Sequence, residues 1–210
     1  MISLLNLVNI MAFIVSSDEI KKELTNYSPD KAEEFHRESA MKTDKIFSKA
    51  LKERSYIGVI LLNGGTASGK SEFLSTQLKG KNYIILDATL STELDAKNKL
   101  RQNMKVGKTP IIYSVIPDDL KRAFIAFLSR DRKFSDTHFY KTHSGSRRTL
   151  LWITKNYPDI EINIVESSYT LDGKLQSSQI QFDQKKKLYN TQKQMLPPEL
   201  QFLSIALTVA

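Results

Sequence analysis

The chain has 210 residues, 40% of them apolar, no cysteine and a formal charge of +8. That length and apolar share suit one α/β domain spanning residues 1–210 rather than a disordered chain, and the lack of cysteine excludes disulfides, thiolate nucleophiles and thiolate metal sites. The basic balance points to a polyanionic partner without choosing among nucleotide, nucleotide-sugar, nucleic acid or acidic protein.

In chain order, the first 15 residues, MISLLNLVNIMAFIV, are apolar but lack the basic start and small-residue cleavage site of a signal peptide. A buried strand or short helix is expected there. No other run approaches the roughly 20 apolar residues that cross a bilayer, so a cytoplasmic protein without a membrane partner is expected. Ser16, Ser17 and Asp18 offer N-caps for a helix through EIKKEL, which puts Asp18 at a strand-to-helix turn. Residues 29–51 carry Phe35, Ser39, Met41, Ile46, Phe47 and Leu51 at three-to-four-residue spacing, the pattern of one or two amphipathic helices.

Val59 to Leu62 reads as a short buried strand, followed by the Gly-rich turn GGTASGKS and a helix from about Ser71 that stops at Gly80. NYIILDATL supplies a second strand whose apolar run precedes Asp87, and a polar helix from about Thr92 to Lys105 stops at Gly107. TPIIYSV is a third strand, after which Pro117 and Asp118 start a helix with Leu120, Phe124, Phe127 and Leu128 on its apolar face. RDRKFSDTHFYKTHSGSRR has no strand pattern and reads as a lid over residues 130–148. A helix from about Ser146 to Lys155, a strand EINIVES, a turn at Asp172-Gly173, a basic QKKK segment and a C-terminal helix in PPELQFLSIALTVA complete the chain. This alternation predicts an α/β, three-layer, P-loop NTPase/kinase-like fold with a mostly parallel central sheet.

Gly64, Gly69, Lys70 and Ser71 fit the pattern G-x-x-x-x-G-K-[ST] between a strand and a helix. In such a loop, backbone amides of Gly64, Gly65, Thr66, Ala67, Ser68 and Gly69 wrap phosphate oxygens, the lysine neutralises the β/γ-phosphates and the serine hydroxyl meets Mg²⁺. ATP is the expected donor, with GTP left open because no base-reading motif stands out. Asp87, at a strand end, suits a Mg²⁺ ligand or a carboxylate that holds the acceptor, or else the N-cap of the next helix. In a parallel sheet it shares the carboxyl edge with the loop, and Asp18 joins them if the N-terminal segment is also a parallel strand. Arg130, Arg132, Arg147 and Arg148 flank the polar segment. Each suits either a phosphoryl clamp or a solvated surface. His138 and His143 lack a carboxylate at metal spacing, so a metal held by protein ligands is not expected there.

These residues resemble the zeta-toxin family of phosphate-loop kinases, in blocks through roughly residues 14 to 166. That resemblance implies ATP- and Mg²⁺-dependent phosphorylation of UDP-N-acetylglucosamine or a related UDP-sugar, and an antitoxin protein as a partner; nucleic acid is not the expected partner. DATLST resembles the family's substrate motif, with Asp87 in place of Glu, Thr89 retained and Ser91 in place of Arg. FLSRDRKF resembles the approach to the family's arginine-bearing lid, implying phosphate contacts for Arg130 and Arg132. THSGSRRTL resembles the lid's end, implying a nucleotide contact for Arg147 and an acceptor contact for His143. The family's Asp segment follows the loop helix, whereas here IVSSDEIKKELTNYSPD precedes the loop. The resemblance therefore implies a shortened, circularly rearranged kinase in which Asp18 activates the acceptor hydroxyl and His36 and Ser39 face the acceptor. A different small-molecule or nucleoside kinase, or a nucleotide-gated binding module, stays open beside it, the latter favoured by the loss of arginine at Ser91.

Overall fold

A computed structural model describes residues 11–169 and 175–180 of the chain. The apolar residues 1–10, the Asp172-Gly173 turn, the QKKK segment and the expected C-terminal helix lie outside the described residues. The strands are β1 (Phe13–Ser16), β2 (Gly58–Asn63), β3 (Tyr83–Asp87), β4 (Ile111–Pro117), β5 (Ile162–Tyr169) and β6 (Leu175–Ile180). The helices are α1 (Ser17–Lys22), α2 (His36–Ala50), α3 (Lys70–Phe73), α4 (Glu93–Lys105), α5 (Leu120–Leu128) and α6 (Asp136–Asn156).

The strands form one sheet in the order β1-β3-β2-β4-β5-β6. All pairs are parallel except β5 with β6. Strand alternation decides the two cores, because successive side chains point to opposite faces. Val59 and Leu61 join Ile84, Leu86, Ile112 and Ile164 on the face covered by Phe47 of α2, Ala96 and Leu100 of α4, and Leu150 and Ile153 of α6. Ile60 and Leu62 join Ile85, Tyr113, Val115 and Val165 on the other, under Phe73, Leu74 and Leu78. The chain is thus a mixed α/β protein, mostly parallel, with helices on both sides of the sheet, as its alternating pattern predicts. No helix among the described residues is long and apolar enough to cross a membrane.

Four local expectations are corrected. The helix expected from Ser146 begins at Asp136, so most of the segment read as a lid is helix, and Phe139, Tyr140 and residues 142–147 are buried. Its polar residues hid the helical period because they face the phosphate loop rather than water. The antiparallel strand β6 was not expected: its alternation of Leu175, Ser177 and Gln179 is too polar to register as a strand pattern. Ser16 stands at the N-cap of α1 but makes no cap bond; its hydroxyl goes to Asp87 at 3.3 Å. Asp119, rather than Asp118, caps α5 through the amides of Lys121 and Arg122, because Pro117 is still the last residue of β4.

Candidate active site

The parallel register brings the carboxyl ends of β1, β2 and β3 to one edge, with Ser16 opposite Asp87. The phosphate loop leaves β2 there. Gly64 and Gly69 have φ of +146° and +85°, conformations that a side chain rarely adopts. A Cβ on Gly64 would also lie 2.4 Å from the Val115 carbonyl oxygen. Lys70 Nζ donates to the carbonyls of Gly64 and Gly65 at 2.8 and 2.9 Å, arching back over the loop.

The loop is supported by neighbours absent from the sequence motif. Asn63 Nδ2 donates to the Thr89 carbonyl at 3.2 Å and to the Ser146 carbonyl at 3.3 Å, while its Oδ1 accepts from the Ser114 hydroxyl at 2.7 Å. The Ser167 hydroxyl of β5 donates to the Ser68 carbonyl at 2.8 Å. From α6, Thr142 Oγ1 accepts from the Thr66 amide at 3.1 Å, and His143 Nε2 lies 2.8 Å from the Thr66 carbonyl. These contacts come from β2, β4, β5 and α6.

A cavity of about 590 Å³ opens at this edge, lined by Asp18, Lys70, Ser71, Asp87, Arg130 and Arg132 together with residues 66–69 of the loop. Asp18 therefore stands at the same end of the sheet as Lys70, which the rearranged order of segments requires. His36 and Thr89 also line the cavity. Arg132 pairs with Asp18 Oδ2, and Lys21 Nζ lies 3.5 Å from Asp18 Oδ1. Burial pushes the Asp18 carboxyl up, but Arg132, Lys21 and Arg130 outweigh it and hold it below the usual carboxylate range. Asp87 goes the other way: burial and the charge of Asp18 raise it, against Lys70 and the Ser16 hydrogen bond. Burial likewise pushes the Lys70 ammonium down, opposed by Asp87 and Asp18. Asp87 does not cap α4, since Thr92 fills that position and accepts from the Asp95 amide.

Besides Gly64 and Gly65 at the start of the loop, three expected site residues do not line the cavity. His143 is 1% exposed, and a Cβ on Gly65 would lie 2.3 Å from its ring. It packs beneath the loop, and burial pushes its imidazole well below the ordinary value. Ser39 is buried and donates to the His36 carbonyl at 2.9 Å, as a helical serine does when its face is covered by packing. Arg147 is buried outside the cavity lining while Arg148 is exposed. Its three guanidinium nitrogens have no hydrogen-bond partner among the described residues, and burial pushes it down to about 10. All three lie on helix faces turned toward the core, which no spacing rule revealed.

Residues that sequence reasoning missed also reach the cavity. Phe134 and His138 stack with ring centres 4.5 Å apart, and His36 stands edge-on to both. Lys21 lies 4.7 Å over the Phe134 ring. Its position three residues after Asp18 on one helix face was the available signal. At the far wall, Lys99 pairs with Asp44 and stands 4.0 Å from Asp95.

No protein-family model matches the chain, and no curated protein matches it. Among solved structures it is similar to AvrRxo1-ORF1:-ORF2 crystallised with ATP, with a TM-score of 0.51 and 11% identity over 72% of this chain and 67% of that one. The structure of that complex with sulphate ions gives a TM-score of 0.48 at 11% identity over 70% of each chain. At such identity the likeness is one of fold. Sheet order, loop geometry and this likeness agree on a mostly parallel α/β fold of the phosphate-loop kinase type.

Proposed function

We propose that the chain is an ATP-dependent phosphotransferase that moves the γ-phosphoryl group to a hydroxyl of a small acceptor. The observation that carries this reading is the convergence of Lys70, Asp18, Asp87 and the Arg130/Arg132 pair on one cavity. Phosphoryl transfer needs little covalent chemistry from a protein, so positioning and charge stabilisation supply most of the catalysis. The amides of the loop and Lys70 would hold the β/γ-phosphates. The acceptor oxygen would form its bond to γ-phosphorus as the bond to the β–γ bridging oxygen breaks, with ADP leaving. Asp18 would orient the hydroxyl and take its proton, Asp87 and Thr89 with His36 would hold the acceptor, and the arginines would meet developing charge. Ser71, which lines the cavity beside Lys70, fits Mg²⁺ held mainly by phosphate oxygens and water. When bound, the ion would neutralise phosphate charge.

An ATP donor is supported by the nucleotide in the similar complex. The UDP-sugar acceptor, the zeta-like family, the toxin role and an antitoxin partner rest on the motif resemblance, and the similar structure being a two-protein complex is in keeping with a partner. The reading treats the chain as a single kinase unit. Incubation with ATP, Mg²⁺ and a UDP-sugar panel, beside Lys70→Ala, tests it. Phosphorylated acceptor that requires Lys70 is expected, and ATP consumption indifferent to Lys70 would reject it.

A further inference from the structure

Lys21 is a lysine on a six-residue helix that follows β1, yet only 1% of it is exposed. A buried ammonium is costly unless paired, by several kcal/mol in general, so what it pairs with is informative. Its Nζ lies 3.5 Å from Asp18 Oδ1 and 4.7 Å over the face of Phe134. Arg132 takes the other oxygen, Oδ2. Each carboxylate oxygen of Asp18 thus meets a different cation.

The two cations differ in freedom. Both line the cavity, but Lys21, on the same helix as Asp18 and against the Phe134 ring, has 2% of its side chain exposed, whereas Arg132, between α5 and α6, has 23%. With a cation on each oxygen Asp18 is held as a weak base, although its side chain stays 37% exposed and each oxygen keeps a further lone pair for an acceptor hydroxyl. A donor phosphate competes for Arg132, whose planar donors suit phosphate as well as carboxylate. It does not compete in the same way for the buried Lys21.

We infer that Lys21 is a positioning residue of the phosphotransfer site, holding Asp18 Oδ1 so that Arg132 can exchange Oδ2 for the donor phosphate and leave Oδ2 to the acceptor. This rests on the phosphotransfer reading above. The charged and titratable groups facing Asp18 are Lys21 from α1, His36 from α2, Lys70 from α3, Asp87 from β3, His138 from α6, and Arg130 and Arg132 after α5. Lys21 and Arg132 make ion pairs with its carboxylate. Loss of Lys21 therefore raises the Asp18 carboxyl.

The test follows the Asp18 carboxyl carbon by NMR through a pH titration of the full chain, assigned with Asp18→Asn, with and without a non-hydrolysable ATP analogue. With the analogue bound, the carboxyl should stay below the usual range. Lys21→Met should raise it by about one pH unit or more, and Lys21→Arg should return it. In turnover, Lys21→Met should lower kcat by about tenfold or more and move the acid limb of kcat/KM to higher pH, with Lys21→Arg restoring both. An Asp18 that titrates in the ordinary range once the analogue binds, or whose titration and acid limb ignore Lys21→Met, overturns the inference. Should Lys21→Met not fold, the wild-type titration with the analogue decides alone. Absence of transfer to any acceptor with a Lys21-dependent carboxyl shift that persists overturns the phosphotransfer reading and with it the role of Lys21 in turnover, whereas transfer with a carboxyl that ignores Lys21→Met overturns the inference alone.

Discussion

At the residue scale, two of the carboxylates that line the cavity have opposite character. Asp18 is kept ionised by flanking cations while Asp87 is raised by burial and by the charge of Asp18. Asp18→Asn keeps the shape but cannot take a proton, so kcat should fall by about 10²–10⁴ with little change in ATP binding; full turnover in that variant would remove Asp18 from the chemistry. Because Arg132 and Lys21 hold the carboxyl down, the acid limb of activity should lie below the usual carboxylate range, and Arg132→Gln should move it upward in a pH–rate profile. Gly65 allows a second prediction. A Cβ there would lie 2.3 Å from the His143 ring, so Gly65→Ala must displace either the loop or a buried ring. Calorimetric ATP affinity should drop, while Gly80→Ala, where a Cβ meets nothing within 4 Å, should leave it unchanged.

At the element scale, α6 is where reading the sequence fell short. The phosphate loop was legible because its residue types are demanded locally by backbone geometry, and Asp87 because an apolar run sets off the strand end. Thr142, His143 and Ser146 look like solvated lid residues, since polarity along the chain does not say which polar group another element will cover. In the fold they carry the loop, and Phe139 and Tyr140 of the same helix pack with Phe124 and Phe127 of α5. Phe139 is fully buried against four rings. Phe139→Ala should cost about 3–5 kcal/mol by denaturant unfolding, and should weaken ATP binding besides, because α6 supports Thr66. A loss of stability with unaltered affinity in the folded fraction would show that α6 does not transmit to the loop.

At the scale of the whole molecule, three histidines are pushed down mainly by burial: His36, His138, which falls to about 4, and His143. The unfolded chain binds protons at the ordinary histidine value while the folded chain does not. Their contribution is therefore fully present above about pH 6.5 and is lost progressively as pH falls toward 4. Asp87 and Asp95, raised by burial, act in the opposite direction, so the difference between variants is the cleaner measure. The thermal midpoint of the wild type should fall more steeply between pH 6.5 and 5 than that of His143→Gln, which keeps a donor for the Thr66 carbonyl.

The sequence by itself determined the alternating elements, the parallel α/β class and the phosphate loop, because periodicity, caps and glycine conformations are local physics. Asp18 could be nominated from its turn, but only the register of β1 beside β3 brought it to the loop's edge. Tertiary structure alone decided that His143, Ser39 and Arg147 turn away from the cavity, that Lys21 turns toward Asp18, and that α6 underlies the loop. Those outcomes depend on which faces of distant elements meet, and packing sets that through contacts between residues far apart in the chain, 99 positions in the case of Ser167 and Ser68.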